Sequence, residues 1–215
     1  FITSDWATSH RMRRIASLMT QSSVHSVQTM AAMQRDQLSL SALELLPVLQ
    51  RVTVEHPLAT SVRKLLADFK GEMTVNSGAA LILSVWTDEL TQLVMRPRIG
   101  SDKFDALYGK RQFREGLLGI LENDNTDWCG QAGCRPKMQQ ALMQTLNKLQ
   151  IELGDNPKLW HWGQVHIATS GHKPFGRVPV LSKCCTSETP LSQAAHTDSH
   201  YKSETPHTTH GPQPP

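Results

Sequence analysis

The chain has 215 residues, a formal net charge of +3 and a pI of about 8.7. This length allows one domain with a sizeable core, or one domain followed by a tail. The positive charge is too small to indicate binding to nucleic acid or to an anionic membrane. No apolar run approaches the ~20 residues needed to cross a bilayer. We therefore expect neither a nucleic-acid partner nor a membrane partner.

Apolar residues recur at helical spacing over most of the chain before residue 183, and this periodicity predicts a series of helices. Pro47 is expected to bend or end the third helix, because proline lacks the N–H that a helix interior uses. Gly71 and Gly154 are expected to close two later helices as C-caps. The predicted helices cover residues 12–19 after Thr8 or Ser9, 27–34 after Ser26, 40–49 after Ser39, 62–69, 79–94, 113–121 and 138–153.

Residues 160–169 are the one segment predicted to form a strand, with Trp160 and Trp162 on the same face. The composition then changes near Lys183, and residues 184–215 contain one Leu and no Val, Ile, Met, Phe or Trp. Such a segment, rich in Ser, Thr, His and Pro, cannot bury enough apolar surface to offset the entropy lost on ordering. We therefore expect a domain over residues 1–183 and a disordered tail over residues 184–215.

The chain contains four cysteines, and none of them forms the CxxC pair of a zinc ribbon. Cys129 and Cys134 are separated by four residues that include two glycines. This spacer could close a small disulfide loop, which would fit an oxidising compartment. Two unpaired thiols are an equally good interpretation of the composition.

The residues alone point to no catalytic or metal site. The GxSxG, P-loop, GxGxxG and HExxH patterns are absent. We interpret His161, His166 and His172 as packed or surface histidines. His196 and His200 have the i,i+4 spacing of a chelating pair, but their Ser-, Thr- and Pro-rich surroundings make an ordered metal site improbable.

Two further clusters have an ordinary structural interpretation. Asp124, Asn125 and Asp127 predict a turn, because the twelve-residue pattern of a calcium loop is missing. Four tryptophans could line an aromatic pocket, although core packing is the safer interpretation. They are Trp86, Trp128, Trp160 and Trp162.

Three blocks, in order along the chain, resemble the penicillin amidase family. The opening FITSDWATSHRMRRIASLM is similar to the segment that follows the central sheet of the family's β-chain. The block VQTMAAMQRDQLSLSALELLPVL resembles the family's "QxDxxS…LLPxL" run, here with Gln34, Asp36 and Ser39. The third block runs from Trp128-Cys129 through Cys134 to NPKLWHWGQVHIATSGHKPFGRVPVL and resembles a "WC…C…WxWGxxH" signature.

The resemblance implies an α+β fold class, in which this mostly helical chain is a fragment of an αββα N-terminal-nucleophile hydrolase sandwich. Family enzymes are made as precursors and cut to free a β-chain with an N-terminal Ser. That Ser is the nucleophile, and its own α-amine is the general base. The chain opens at Phe1, so we expect a processed or truncated β-chain without the nucleophile, inactive by itself.

The family's active-site arginine, which shapes the mouth of the acyl pocket, falls on Arg11 when "HRMRRI" is aligned. Arg13 and Arg14 are local competitors, and a solvated helix face is the alternative interpretation of all three. The resemblance also favours a Cys129–Cys134 disulfide and a periplasmic or secreted location. The family often binds structural calcium, but its ligands would fall outside this segment, so no metal or cofactor is expected here.

After "VPVLSK" the chain departs from the family's pattern, and we hypothesise a frameshift near Lys183, with a natural disordered tail as the alternative. The implied function is cleavage of an acyl side chain from a β-lactam, an acyl-homoserine lactone or a similar acylated amine, linked to antibiotic metabolism. The expected partner is the remainder of the acylase, meaning the α-chain and the N-terminal part of the β-chain.

Two alternatives stay open: a catalytically silent helical binding or assembly module, and a metal-binding protein acting through its His-rich tail. If the central sheet is missing, helices that normally cover it should expose apolar stripes.

Overall fold

The computed structural model describes residues 9–108, 111–171 and 186–190. In these ranges the chain is mostly helical, with one two-stranded antiparallel sheet. The α-helices are α1 (His10–Met19), α2 (Val27–Gln34), α3 (Leu40–Leu49), α4 (Ala59–Ala67), α5 (Gly78–Ile99), α6 (Ser101–Leu107), α7 (Arg111–Glu122), α8 (Thr126–Cys129) and α9 (Arg135–Leu153). Two 3₁₀ turns, Pro157–Leu159 and Trp162–Gln164, precede strands β1 (Ile167–Gly171) and β2 (Thr186–Pro190).

The core is centred on the packed pair α5 and α9. Helix α5 is 22 residues long and buries eleven of them, which is the pattern of a helix enclosed on most sides. Trp86 lies at its middle with 1% of its surface exposed, and its indole N–H donates a hydrogen bond to the carbonyl of Met138 in α9 at 3.0 Å. Helices α4, α6 and α8 pack around α5.

Serine caps fix the starts of three helices, as the sequence predicts for two of them. The Ser26 hydroxyl accepts the N–H of Thr29, whose hydroxyl accepts the N–H of Ser26 in return, forming a capping box. Ser39 and Ser77 cap α3 and α5 in the simpler one-way form. Local polar side chains therefore mark these three boundaries.

Helix α3 runs to Leu49 as predicted, with Pro47 inside it. Another predicted helix end differs from the observed one. Helix α4 ends at Ala67, and Gly71 is not its cap. Gly71 instead has φ +88°, and a Cβ there would lie 2.7 Å from Cγ of Leu43, so its role is to bring the following chain close to α3. Gly154 caps α9 as predicted, with φ +88°.

The predicted strand over residues 160–169 is wrong in its first half, where the chain forms the 3₁₀ turn Trp162–Gln164. The physical reason is a close contact at Gly163, whose N–H donates to the carbonyl of Val75 at 2.8 Å. A Cβ at position 163 would lie 2.5 Å from Cγ1 of Val75. Trp160 and Trp162 are both buried all the same.

Strand β1 pairs with β2 in antiparallel register, with Ile167 opposite Pro190. Residues 186–190 belong to the segment predicted to be disordered, so the structure differs from that prediction for these five residues. Backbone hydrogen bonds to β1 order them without requiring large apolar side chains. The rest of residues 184–215 lies outside the described ranges.

Candidate functional site

The candidate site is the surface of α1, which carries Arg11. Side chains three and four positions apart share one face of a helix. His10, Arg13 and Arg14 therefore lie on one side of α1, with Arg11 at its edge next to Arg14 and Ile15 on the neighbouring side. The first side faces α3, against which α1 packs.

Charged contacts hold α1 in place. The Nε2 atom of His10 lies 2.5 Å from one carboxylate oxygen of Glu44, and Nη1 of Arg13 donates to the other at 2.7 Å. Arg14 makes a bidentate pair with Asp36, from Nε at 2.8 Å and Nη2 at 2.5 Å. No residue of α1 is buried, so these contacts replace the apolar packing that positions most helices.

The pairing shifts two pKa values. Burial alone would raise the pKa of Glu44, but the hydrogen bonds and charges of His10 and Arg13 outweigh it, and the pKa lies below its usual value. The hydrogen bonds to Asp36 raise the pKa of Arg14 further. Both shifts favour the charged forms, and so both favour the attached position of α1 at neutral pH.

Arg11 differs from its two competitors. Its side chain is exposed, and no hydrogen bond or ion pair joins it to another residue in the described part of the chain. Arg13 and Arg14 are committed to carboxylates, whereas the Arg11 guanidinium remains available to a ligand or a partner. The role of Arg11 as an active-site residue stays a prediction.

The block that carries the second resemblance explains part of this geometry. The carboxylate of Asp36 accepts hydrogen bonds from Arg14, and Ser39 caps α3. Leu46 and Leu49 are buried in the core. Glu44 was missed at the sequence level. Its partners His10 and Arg13 lie 34 and 31 residues away, and nothing in the local pattern marks such a distant pair.

A surface of exposed apolar side chains continues from α1 into α2. Neither helix buries a single residue. Nine large apolar side chains are exposed among the residues the structure describes, and six of them lie between positions 12 and 30. We call these six the α1–α2 face: Met12, Ile15, Met19, Val24, Val27 and Met30.

Cys129 and Cys134 form a disulfide with their Cα atoms 4.8 Å apart, which confirms the predicted pairing. The bond ties the end of α8 to the start of α9, and both cysteines are buried. Asp124 accepts the N–H of Cys134 at 2.5 Å, and Asn125 caps α8. Gly133 is required beside them, since a Cβ there would lie 2.6 Å from a carboxylate oxygen of Asp124. The predicted turn is confirmed at Asp124, whereas Asp127 lies in the first turn of α8.

The histidines near the third block are structural where they can be described. The Nδ1 atom of His161 lies 3.2 Å from the carbonyl oxygen of Asn76. His166 is buried and stacks on Trp162, with ring centroids 4.5 Å apart. His172, like Cys184, Cys185 and the tail histidines, lies outside the described residues. Over the described ranges, no three His, Cys, Asp or Glu side chains converge as a metal site would require.

The tryptophans contribute mainly to the core. Trp86 and Trp160 are fully buried, and the indole N–H of Trp160 donates to the carbonyl of Gly154 at 3.0 Å. Trp128 is partly buried against the core. The Nε1 atom of Trp162 is buried and has no hydrogen-bond acceptor among the described residues. A separate open groove of about 570 Å³ borders α9 near Glu55 and Met143 and contains none of the predicted site residues.

No helix within the described ranges is long and apolar enough to span a bilayer. Comparison with curated proteins finds no matching relative. The sequence does match the family described as Penicillin amidase, over residues 1–213. The matched range runs past Lys183, into the segment expected to depart from the family's pattern. Because the match covers nearly the whole chain, this protein belongs to the penicillin amidase family.

Proposed function

We propose that the chain is part of the β-chain of an amide hydrolase with an αββα sandwich fold. In this proposal the N-terminal serine nucleophile lies upstream of the block that opens the sequence. The single observation that carries the proposal is the family match over residues 1–213. Family membership supports a hydrolase acting on amide bonds, and the helical structure is consistent with layers that cover a sheet.

The proposed reaction has two steps. The serine Oγ attacks the carbonyl carbon of the amide, and the serine's own α-amine takes the hydroxyl proton. The tetrahedral intermediate is stabilised by an oxyanion hole. The protonated α-amine returns the proton to the leaving nitrogen as the C–N bond breaks, which releases the amine and leaves an acyl-serine ester. Water then attacks the ester and releases the carboxylic acid. The substrate class is an acylated amine, such as a β-lactam with an amide side chain or an acyl-homoserine lactone.

Arg11 is the residue we assign to this site. Support comes from its exposed guanidinium, which has no ion-pair partner among the described residues, in contrast to the paired Arg13 and Arg14. A guanidinium presents several fixed N–H donors and suits polar or anionic groups of a substrate. In this role Arg11 shapes the mouth of the acyl pocket, and Glu44 and Asp36 act through α1 to position it.

The compartment and the partners follow from the same proposal. The Cys129–Cys134 disulfide supports an oxidising compartment, and we propose a periplasmic or secreted enzyme made as a precursor. The remainder of the acylase, meaning the α-chain and the N-terminal part of the β-chain, completes the active site. Structural calcium, where the parent enzyme has it, is held by residues outside this segment.

Amide hydrolysis is tested with a panel of chromogenic anilides that carry aryl-acetyl or fatty-acyl groups. We expect no hydrolysis by residues 1–215 alone, and hydrolysis by the complete enzyme. In the complete enzyme, Arg11→Ala should lower kcat/KM by about tenfold or more, whereas Arg98→Ala, an exposed arginine in α5, should not. Hydrolysis by the isolated chain would contradict the requirement for an upstream serine.

A catalytically silent binding or assembly module is the second candidate. The α1–α2 face favours it, because exposed apolar patches mark interaction sites. Nucleotide sequencing on both sides of the region encoding residues 1–215 separates the two. An upstream frame with a serine cleavage site supports the hydrolase, and closed frames on both sides support the binding module.

A further inference from the structure

The α1–α2 face is exposed, and its α1 part is held in a defined position. Ile15 and Met19 keep 48% and 41% of their surface exposed, and Val27 keeps 81%. Helix α1, which carries the first two, is fixed to Glu44 in α3 and to Asp36 in the segment between α2 and α3. A surface fixed in this way can bind a partner without first paying the entropy of ordering the helix.

The charged side chains of residues 9–35 have one sign, and the neighbouring carboxylates of Glu44 and Asp36 are already paired with α1. Residues 9–35 contain no Asp or Glu. Arg11 and Arg35 are exposed, and neither has an ion-pair partner in the described ranges. A surface that binds here therefore gains from supplying carboxylates.

Two other occupants fit less well. A second copy of the chain would place the same patch against itself in a two-fold dimer, bringing cation against cation. An anionic bilayer would attract the cations, but Arg13 and Arg14 are already paired. Each basic side chain near such a membrane contributes only about 1 kcal/mol, so Arg11 and Arg35 would give weak attachment.

We propose that the α1–α2 face docks an apolar, carboxylate-bearing surface of another polypeptide, with Arg11 pairing one of its carboxylates. The identity of that polypeptide rests on the proposed function, under which it is the remainder of the acylase. Three of the six apolar residues are methionines, Met12, Met19 and Met30, whose flexible side chains adapt to a partner's shape. The docking chemistry itself does not depend on amide hydrolysis.

The test uses two dye-labelled helical peptides with identical leucine positions, one with glutamates and the other with lysines on its polar face. Fluorescence anisotropy should show that residues 1–215 bind the Glu peptide about tenfold or more tightly than the Lys peptide. Met12→Ser/Ile15→Ser/Met19→Ser should abolish binding. Arg11→Glu, which leaves the apolar residues intact, should remove the preference for glutamate.

The matched control is Ile151→Ser/Leu159→Ser, which removes two exposed apolar side chains elsewhere and should leave binding unchanged. Equal binding of both peptides, no binding of either, or equal loss in the control would overturn the proposal. Tighter binding to phosphatidylserine vesicles would replace it with a membrane site. A dimer in sedimentation that the triple substitution dissociates would replace it with self-association. Failure of amide hydrolysis leaves all of these readouts unaffected, so the two proposals fail separately.

Discussion

Helices α5 and α9 bury eleven and six residues, whereas α1 and α2 bury none. The first pair is held by apolar packing and by a buried hydrogen bond between Trp86 and Met138. In the second region, α1 is held by Glu44 and Asp36, and both helices present apolar side chains outward. The comparison shows that α5 and α9 stabilise each other by packing within this chain. Helices α1 and α2 instead present an apolar surface that a binding partner could cover.

The largest expected effect on stability comes from Trp86→Ala, which tests whether α5 and α9 form the core. The substitution removes a large side chain that is 1% exposed and leaves the Met138 carbonyl without its donor. We expect the free energy of unfolding to fall by about 3–5 kcal/mol, measured by urea denaturation followed by circular dichroism.

Met12→Ala and Ile15→Ala are the matched controls for that experiment. Both side chains are exposed, so each should change the free energy of unfolding by no more than about 0.5 kcal/mol. If either control cost as much as Trp86→Ala, the α1–α2 face would be part of the core, and the contrast between the regions would be wrong.

The disulfide should have the next largest effect. Cys129→Ser/Cys134→Ser opens a short loop and should lower the free energy of unfolding by about 2 kcal/mol, through the greater entropy of the unfolded chain. Reduction of the wild-type protein should reproduce this loss, and the double variant should be insensitive to reductant. Identical stability of the oxidised and reduced wild type would contradict the structural role of the bond.

Asp36→Asn tests the attachment of α1. It removes the carboxylate that Arg14 grips with two hydrogen bonds, and local opening of α1 should become easier by about 1 kcal/mol or more. Hydrogen exchange of the α1 amides measures this directly. The α5 amides serve as the internal control and should not change, since the core does not depend on the pair.

Local caps and apolar periodicity were enough to predict much of the fold. Ser26 and Ser39 start helices because a side-chain oxygen acts on the next few residues, and the apolar run around Trp86 becomes the central helix. The 3₁₀ turn at Trp162 was not predictable, because it depends on the contact of Gly163 with Val75, 88 positions earlier.

The candidate site was predicted less completely, for the same reason. The resemblance to the family predicted Arg11 as a site residue. Arg11 could be distinguished from Arg13 and Arg14 only once the structure showed that Glu44 and Asp36 pair with the latter two. Such long-range charge pairs leave no periodic signal in the sequence. The Cys129–Cys134 spacing left a disulfide and free thiols equally open, and the resemblance favoured the bond that the structure contains.

The smallest expected effect is a pH dependence of α1. The pKa of Glu44 lies below its usual value, so its contribution is present above the unfolded-state pKa of about 4.3 and is lost as the pH falls through the lower folded-state value. Protection of the α1 amides, corrected for intrinsic exchange, should therefore decline below about pH 4.3. Glu44→Gln should remove this component, and an unchanged profile in that variant would assign the decline to another group.

The most direct measurement of the two-region account is hydrogen–deuterium exchange across residues 1–215 at neutral pH. The account predicts that the α5 and α9 amides exchange only on global unfolding, while the α1 and α2 amides exchange about a hundredfold or more faster through local opening. Uniform protection across all four helices would show that α1 and α2 belong to the same cooperative unit as the core, and would contradict the account.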